Sequence, residues 1–331
     1  MIDVSWTSRH AFARLRSFTG LRPKEVQAVT TDSQPLWKVP EPLAIRQVDV
    51  DDDTVVILRR HGNPSGPRLV LSHGNGLAID LYYPFWSLLA HDFDLVVYDL
   101  RNHGWNALSP LEDHNVPTLV RDHDRILEAI DTNFGDKPKT GVFHSVSALT
   151  TLLSPAKGSG LSALVLFDPP LCRPGASYEE FDAAAMRTAA MTRRRTELFQ
   201  SVDQFADLLS FVPTFYRSVP GTFDLAARTT LRERKQRDGY ELRCPRDYEA
   251  QIVDYASAFA VLVDFDAFHC PIKVVGADPT LPYSYLPTFD LSHVLTVDYD
   301  FLPETTHFLQ LEQPEACAES VREFLDLVGD G

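Results

Sequence analysis

Residues 141–149 read Gly-Val-Phe-His-Ser-Val-Ser-Ala-Leu. Lys139–Phe143 is a short run of strand-forming residues, and Ser145–Leu153 opens a helix. A strand that passes so abruptly into a helix must turn sharply. The turn puts Ser145 at its tip, with the hydroxyl exposed beyond the strand's end. The N–H of Val146, at the start of the helix, then points toward any negative charge that develops beside that hydroxyl. Ser147 is small enough for a tight approach of helix and strand. Phe143 is bulky, and its side chain has to turn away from the helix.

The same alternation extends to both sides. Arg68–Ser72, Leu95–Tyr98 and Ala163–Phe167 are short apolar runs of the kind that lie buried on both faces of a parallel sheet. Ile45–Val50 and Thr54–Arg60, joined at Asp51–Asp53, read as a hairpin. Pro117–Phe134 carries Leu119, His123, Ile126, Leu127 and Ile130 at helical spacing, with proline at its start. The alternation predicts an α/β fold: a mostly parallel central sheet with helices on both faces. After Pro174 the pattern changes. Residues from about 175 to 265 read as helical, rich in Arg and Phe and without a strand. Strand signals resume at Pro271–Val275 and Val294–Val297, followed by a final helix over Phe308–Val328. The expected organisation is a sheet domain in two parts, residues 1–173 (with an N-terminal extension) and 267–331, interrupted by a helical cap over 174–266.

Four more segments carry chemistry. Leu69–Leu77, LVLSHGNGL, follows a strand with glycines that let the chain fold close to a reacting carbonyl. The amide of Asn75 is the expected donor there, Gly76 the neighbouring alternative, and His73 a brace for the loop. In Val97–Asn106, VYDLRNHGWN, the residues Asp99, Arg101 and His103 are suited to tying loops together. Pro271–Pro279, PIKVVGADP, puts Asp278 on the loop beyond a strand's C-terminal end, the edge where catalytic residues of open α/β sheets collect. Asp168, in LVLFDPPL, also follows a strand and competes for the same role. Glu304–Pro314, ETTHFLQLEQP, presents His307 immediately before a helix.

Taken in order, these segments resemble the α/β-hydrolase superfamily. Phe143–Ser147 stands where the family has G-x-S-x-G, the nucleophile elbow. HGNG looks like the oxyanion loop, DLRNHG like the family's D-x-R-x-H-G segment, and the His307 segment like its terminal histidine. The chain order Ser, Asp, His is also the family's. The resemblance covers most of residues 45–170 and 270–328. It implies a serine hydrolase, esterase- or lipase-like, with a helical cap. Ser145 would be the nucleophile, His307 the general base and Asp278 the acid, with the amides of Asn75 and Val146 as oxyanion hole. The implied reaction is cleavage of a carboxylic ester, lactone or thioester of a small to medium apolar molecule through an acyl-enzyme on Ser145, with no cofactor and no metal. A carbon–carbon bond hydrolase with the same triad and a non-catalytic ligand receptor are the alternatives.

Composition limits the partners. The 331 residues carry a formal charge of -15, which disfavours nucleic acid and anionic membrane surfaces. No run reaches the roughly 20 apolar residues of a membrane span. The N-terminus lacks the apolar stretch of a secretory signal, so the cytoplasm is the expected compartment. Cys172, Cys244, Cys270 and Cys317 show no zinc-like spacing and are expected as free, buried or half-buried thiols. The expected partner is a small-molecule substrate; the sequence indicates no oligomeric state. Of Phe199, Phe205, Phe211, Phe215, Tyr216 and Phe223, most should pack the cap onto the body and some should line a cavity. Arg193-Arg194-Arg195 reads as a solvated helix face rather than an anion site.

Overall fold

A computed structural model describes residues 35–172, 176–282, 285–286 and 296–329. Most of the expected N-terminal extension lies outside the described residues. The first elements among the described residues are the expected hairpin, β1 (Ala44–Asp49) and β2 (Val55–Gly62), paired antiparallel. Then follow β3 (Arg68–Ser72), the short helix α1 (Tyr83–Trp86), β4 (Asp94–Tyr98) and α2 (Val116–Phe134). The Asn115 side chain caps α2 by accepting from the Thr118 amide at 3.0 Å. Next come β5 (Lys139–His144), α3 (Val146–Leu153) and β6 (Ala163–Phe167).

The insertion after β6 holds α4 (Ala176–Thr192), β7 (Leu198–Phe199), α5 (Val202–Leu209), α6 (Thr222–Thr230), β8 (Leu231–Glu233), β9 (Tyr240–Leu242), α7 (Arg246–Asp254) and α8 (Ala256–Ala260). The chain closes with β10 (Ile272–Gly276), β11 (Asp298–Phe301), α9 (Leu309–Glu312) and α10 (Pro314–Gly329).

The central sheet has eight strands in the order β1-β2-β4-β3-β5-β6-β10-β11, parallel from β4 to β11. The two-residue period of each strand sorts its side chains between two cores. Leu69, Leu71, Leu95, Val97, Val165 and Phe167 enter one; Val70, Val96, Tyr98, Leu164 and Leu166 enter the other. Parallel strands covered on both faces therefore read as continuous apolar runs.

Three expectations are corrected. The insertion is not purely helical: β7, β9 and β8 form a small antiparallel sheet. Two or three residues each, as in Leu231-Arg232-Glu233, are too few for any periodicity to show. Of the expected strand Val294–Val297, residues 294–295 lie outside the described residues and 296–297 form a turn. The last strand among the described residues is Asp298–Phe301. Its alternating Asp-Tyr-Asp-Phe, half-exposed at the sheet edge, lacks the apolar run of its neighbours. The final helix is two, because Pro314 starts α10 afresh. No helix among the described residues is long and apolar enough to cross a membrane.

The DLRNHG segment acts as a tie. Arg59, fully buried on β2, donates to Asp80 at 2.5 Å and to Asp99 at 2.8 Å. Asp99 also accepts the amides of Ile79 and Trp105. Arg101 bridges Asp122, Asp51 and Thr54. Arg59→Met should destabilise the fold by about 3–5 kcal/mol, because it strands two buried carboxylates. Urea unfolding checks this as a lowered midpoint with an unchanged slope.

Candidate active site

The elbow forms as the sequence requires. Ser145 sits between β5 and α3 at φ 53°, ψ -119°, a conformation that non-glycine residues rarely hold. Its amide is fixed by the Phe167 carbonyl at 3.0 Å. Ser147 is buried, its hydroxyl donating to the His144 carbonyl at 2.8 Å and accepting the His144 amide at 3.0 Å. It locks the turn and leaves Ser145 as the serine that lines a cavity. The bulk of Phe143 is absorbed two residues back. A Cβ on Gly141 would lie 2.4 Å from the Phe143 ring, so the ring folds over that glycine and packs edge-on against Tyr98 and His123.

His307 Nε2 lies 3.0 Å from Ser145 Oγ. The group at His307 Nδ1 is Asp168, not Asp278: Asp168 Oδ2 is 2.6 Å away. Asp168 follows β6, is buried, holds φ 39°, and its second oxygen accepts the Ala277 amide at 3.2 Å. Asp278 is turned elsewhere. Its Oδ1 accepts the Thr280 amide (2.8 Å) and hydroxyl (2.6 Å), and its Oδ2 accepts the Glu304 amide (2.8 Å). These bonds hold its carboxyl below the usual carboxylate range. It braces the start of the segment that carries His307. Glu312 secures the same segment by accepting the Thr306 amide at 2.7 Å. The Tyr285 ring stacks on the imidazole at 5.2 Å.

The HGNG loop borders the same cavity. The Gly76 amide donates to His103 Nε2 at 2.9 Å, so it is already committed. The Asn75 side chain donates to the Glu249 carbonyl at 2.8 Å, which ties the loop to α7. Val146 carries the first N–H of α3, with no intrahelical acceptor. Asn75 thus lines the same cavity as Ser145, and Val146 follows Ser145 directly in the chain.

Sequence reading missed a buried relay behind these groups. The His307 carbonyl can only accept, so His144 Nε2–H donates to it at 2.8 Å. Burial, and then the neighbouring His307, push the His144 pKa well below its ordinary value, so the ring is neutral. Its Nδ1 then accepts the Tyr82 hydroxyl at 2.6 Å, and Tyr82 Oη in turn accepts the Gly74 amide at 3.2 Å. One chain of bonds therefore sets the HGNG loop, the elbow and the His307 segment in register. The approach is close: a Cβ on Gly74 would lie 2.8 Å from His144 Nδ1. Tyr82→Phe removes the middle of the relay and leaves two buried groups unpaired. We expect kcat on p-nitrophenyl butyrate to fall about 10- to 100-fold with little change in KM. Steady-state kinetics alongside a melting curve check this. The only signal in sequence was the HGNG glycine itself.

A cavity of about 410 Å³ is lined on the body side by Gly74–Leu77, His144, Ser145, His307 and Phe308. The insertion contributes Phe205, Leu208, Leu209, Val212, Phe215 and Leu242. The aromatic expectation divides accordingly. Phe205 and Phe215 line the cavity, Phe199 and Phe223 pack behind them, and Phe211 and Tyr216 are exposed. All four cysteines are free; Cys172, Cys244 and Cys317 are buried and Cys270 half-buried. His103, His114 and Cys244 bring possible ligand atoms within 4.8 Å of one another. They do not suit a metal ion. The Nε2 lone pair of His103 takes the Gly76 amide, and Asn102 Nδ2 donates to His114 Nδ1, which leaves Nε2 of His114 as an N–H.

Comparison with known proteins places the chain by family and fold. The model of the alpha/beta hydrolase family matches residues 69–320. A poly(3-hydroxyalkanoate) depolymerase of Ectopseudomonas oleovorans is 26% identical over 93 residues, 28% of this chain and 32% of the depolymerase. The match thus spans about a third of that relative's length. Among solved structures, E-2-(acetamidomethylene)succinate hydrolase superposes with a TM-score of 0.65 at 15% identity, covering 86% of this chain and 99% of the other. A thioesterase domain from the curacin biosynthetic pathway does so with a TM-score of 0.63 at 16% identity, covering 85% and 99%. At such identities the likeness is one of fold.

Proposed function

The chain belongs to the alpha/beta hydrolase family, and from that premise we propose that it is a serine hydrolase. In this reading it cleaves a carboxylic ester, lactone or thioester of a small to medium apolar substrate through an acyl-enzyme on Ser145. The observation that carries the reading is the continuous chain from Asp168 Oδ2 to His307 Nδ1 (2.6 Å) and from His307 Nε2 to Ser145 Oγ (3.0 Å), ending in an apolar cavity. The similarity to a depolymerase of a poly(hydroxyalkanoate) and to a thioesterase domain supports an ester or thioester as the bond broken.

Asp168 accepts from His307 Nδ1–H and so keeps the Nε2 lone pair facing the Ser145 hydroxyl. As Ser145 Oγ bonds to the acyl carbon, its proton passes to Nε2, and Asp168 stabilises the imidazolium. The amides of Asn75 and Val146 receive the negative charge on the former carbonyl oxygen; one such donor is worth roughly a hundredfold or more in rate. Collapse returns the proton from Nε2 to the leaving alkoxide or thiolate. Water, deprotonated by the same nitrogen, then releases the acid and restores Ser145. The insertion serves as the cap that makes the substrate's apolar surroundings.

A fluorophosphonate probe with mapping of the labelled residue, followed by p-nitrophenyl esters of rising chain length, tests the reading. Labelling at Ser145 together with ester turnover is expected. Labelling at Ser147 would move the nucleophile. Neither labelling nor turnover would leave the non-catalytic ligand receptor as the better account.

A further inference from the structure

Arg193-Arg194-Arg195 is not a helix face. The three residues form the turn that ends α4, with their amides bonded to the Ala189, Met191 and Thr192 carbonyls at 3.0–3.1 Å. The turn sends the outer two to opposite ends of α7. Arg193 pairs with Asp254, with Nη1 3.2 Å from Oδ1. Arg195 pairs with the buried carboxylate of Glu249, whose backbone carbonyl holds the Asn75 side chain.

Arg194 is exposed, lines the cavity and faces no carboxylate at ion-pair distance among the described residues. Among the described residues, the charged side chains that line the cavity are thus Arg194, Arg195 and Glu249. Glu249 is matched by Arg195, so one positive charge is left over, on a chain of net charge -15. The insertion's remaining contribution to the wall is mostly apolar, with Phe205, Leu209 and Phe215 among it. Half of the Arg195 side chain also stays accessible, with guanidinium donors beyond those on Glu249.

We propose that Arg194, assisted by Arg195, receives an anionic group of the substrate at the rim of this cavity. The inference rests on the hydrolase reading for what happens at Ser145 and narrows its substrate class. The substrate is then an amphiphile: an apolar chain against the insertion, an acyl group at Ser145, and a carboxylate or phosphate held by the arginine turn. A guanidinium suits either anion, because its planar fork donates two parallel bonds.

Binding to the Ser145→Ala protein tests this without depending on turnover. Calorimetry would compare monomethyl suberate and octyl phosphate with the neutral dimethyl suberate. Monomethyl suberate, octyl phosphate or both should bind about tenfold tighter than the neutral diester at low salt, and the anion that does so identifies the group. The advantage should shrink as salt is raised. It should also disappear when Arg194→Gln is added, while Arg193→Gln, whose side chain is engaged with Asp254, keeps it. Equal affinities, no binding of either anion, or a preference that Arg194→Gln does not move would overturn the proposal. The last result would put the anion at the Ser145 site instead. An intact preference in a protein that hydrolyses no ester would sink the hydrolase reading alone.

Discussion

Ser145→Ala is expected to reduce kcat for p-nitrophenyl esters by about a million-fold, the loss usual when a triad nucleophile is removed. The size follows from what the hydroxyl does. Without Oγ there is no acyl-enzyme, and His307 Nε2 has no proton to take. The loss should stop short of the uncatalysed rate, because the amides of Asn75 and Val146 and the cavity remain; such remnants keep roughly 10³–10⁴ over water. Alanine keeps the Cβ at φ 53°, so the strained turn is neither relieved nor worsened. The Ser145 amide keeps its bond to Phe167. The melting temperature should therefore move little while activity vanishes, and the fluorophosphonate label should vanish with it. A variant that still turns over at more than about a thousandth of the parent rate would show that another group attacks. Ser147→Ala offers the contrast. It removes a buried hydroxyl that pairs two groups of His144, so its main effect should be on stability.

Much of this site was legible because its chemistry is local in sequence. Ser145, the HGNG loop and the helix start after His307 are each defined by a few consecutive residues whose φ, size or hydrogen-bonding capacity permits little else. The strands β3 to β6 were legible for a related reason, since burial on both faces leaves an unbroken apolar run. The remaining features depend on pairing across the fold. Asp168 and Asp278 follow adjacent parallel strands, β6 and β10, whose ends lie side by side. Which of them meets His307 depends on how the segment from Glu304 to His307 crosses those ends, and no local pattern records that. The arginine turn shows the same limit: three identical neighbours are separated by whether α7 offers each a carboxylate. Tyr82 and His144 are 62 positions apart and share no local pattern. Only their mutual distance and the direction of the His307 carbonyl reveal the relay.

Asp168→Asn should lower kcat by about 10⁴-fold, whereas Asp278→Asn should change it by less than about fivefold. At position 168 the exchange keeps the shape and reverses the logic of the hydrogen bond. A carboxylate can only accept, so it selects the tautomer with a proton on His307 Nδ1 and a lone pair on Nε2. An asparagine whose Nδ2 turns toward the ring donates instead and selects the opposite tautomer. Nε2 then carries a hydrogen toward Ser145 and cannot take its proton, and no carboxylate remains to stabilise the imidazolium. The second oxygen of Asp168 accepts the Ala277 amide, which an Asn Oδ1 can still satisfy, and that favours the donating orientation of Nδ2 toward the ring. At position 278 the carboxylate accepts, among the described residues, from Thr280 and Glu304. Asparagine keeps one acceptor oxygen and loses the other, which loosens the start of the His307 segment without touching the ring. Parallel measurement of kcat and KM for the two variants decides between the acids. The reverse ranking would mean that the segment from Glu304 to His307 rearranges when substrate binds, bringing Asp278 to the imidazole.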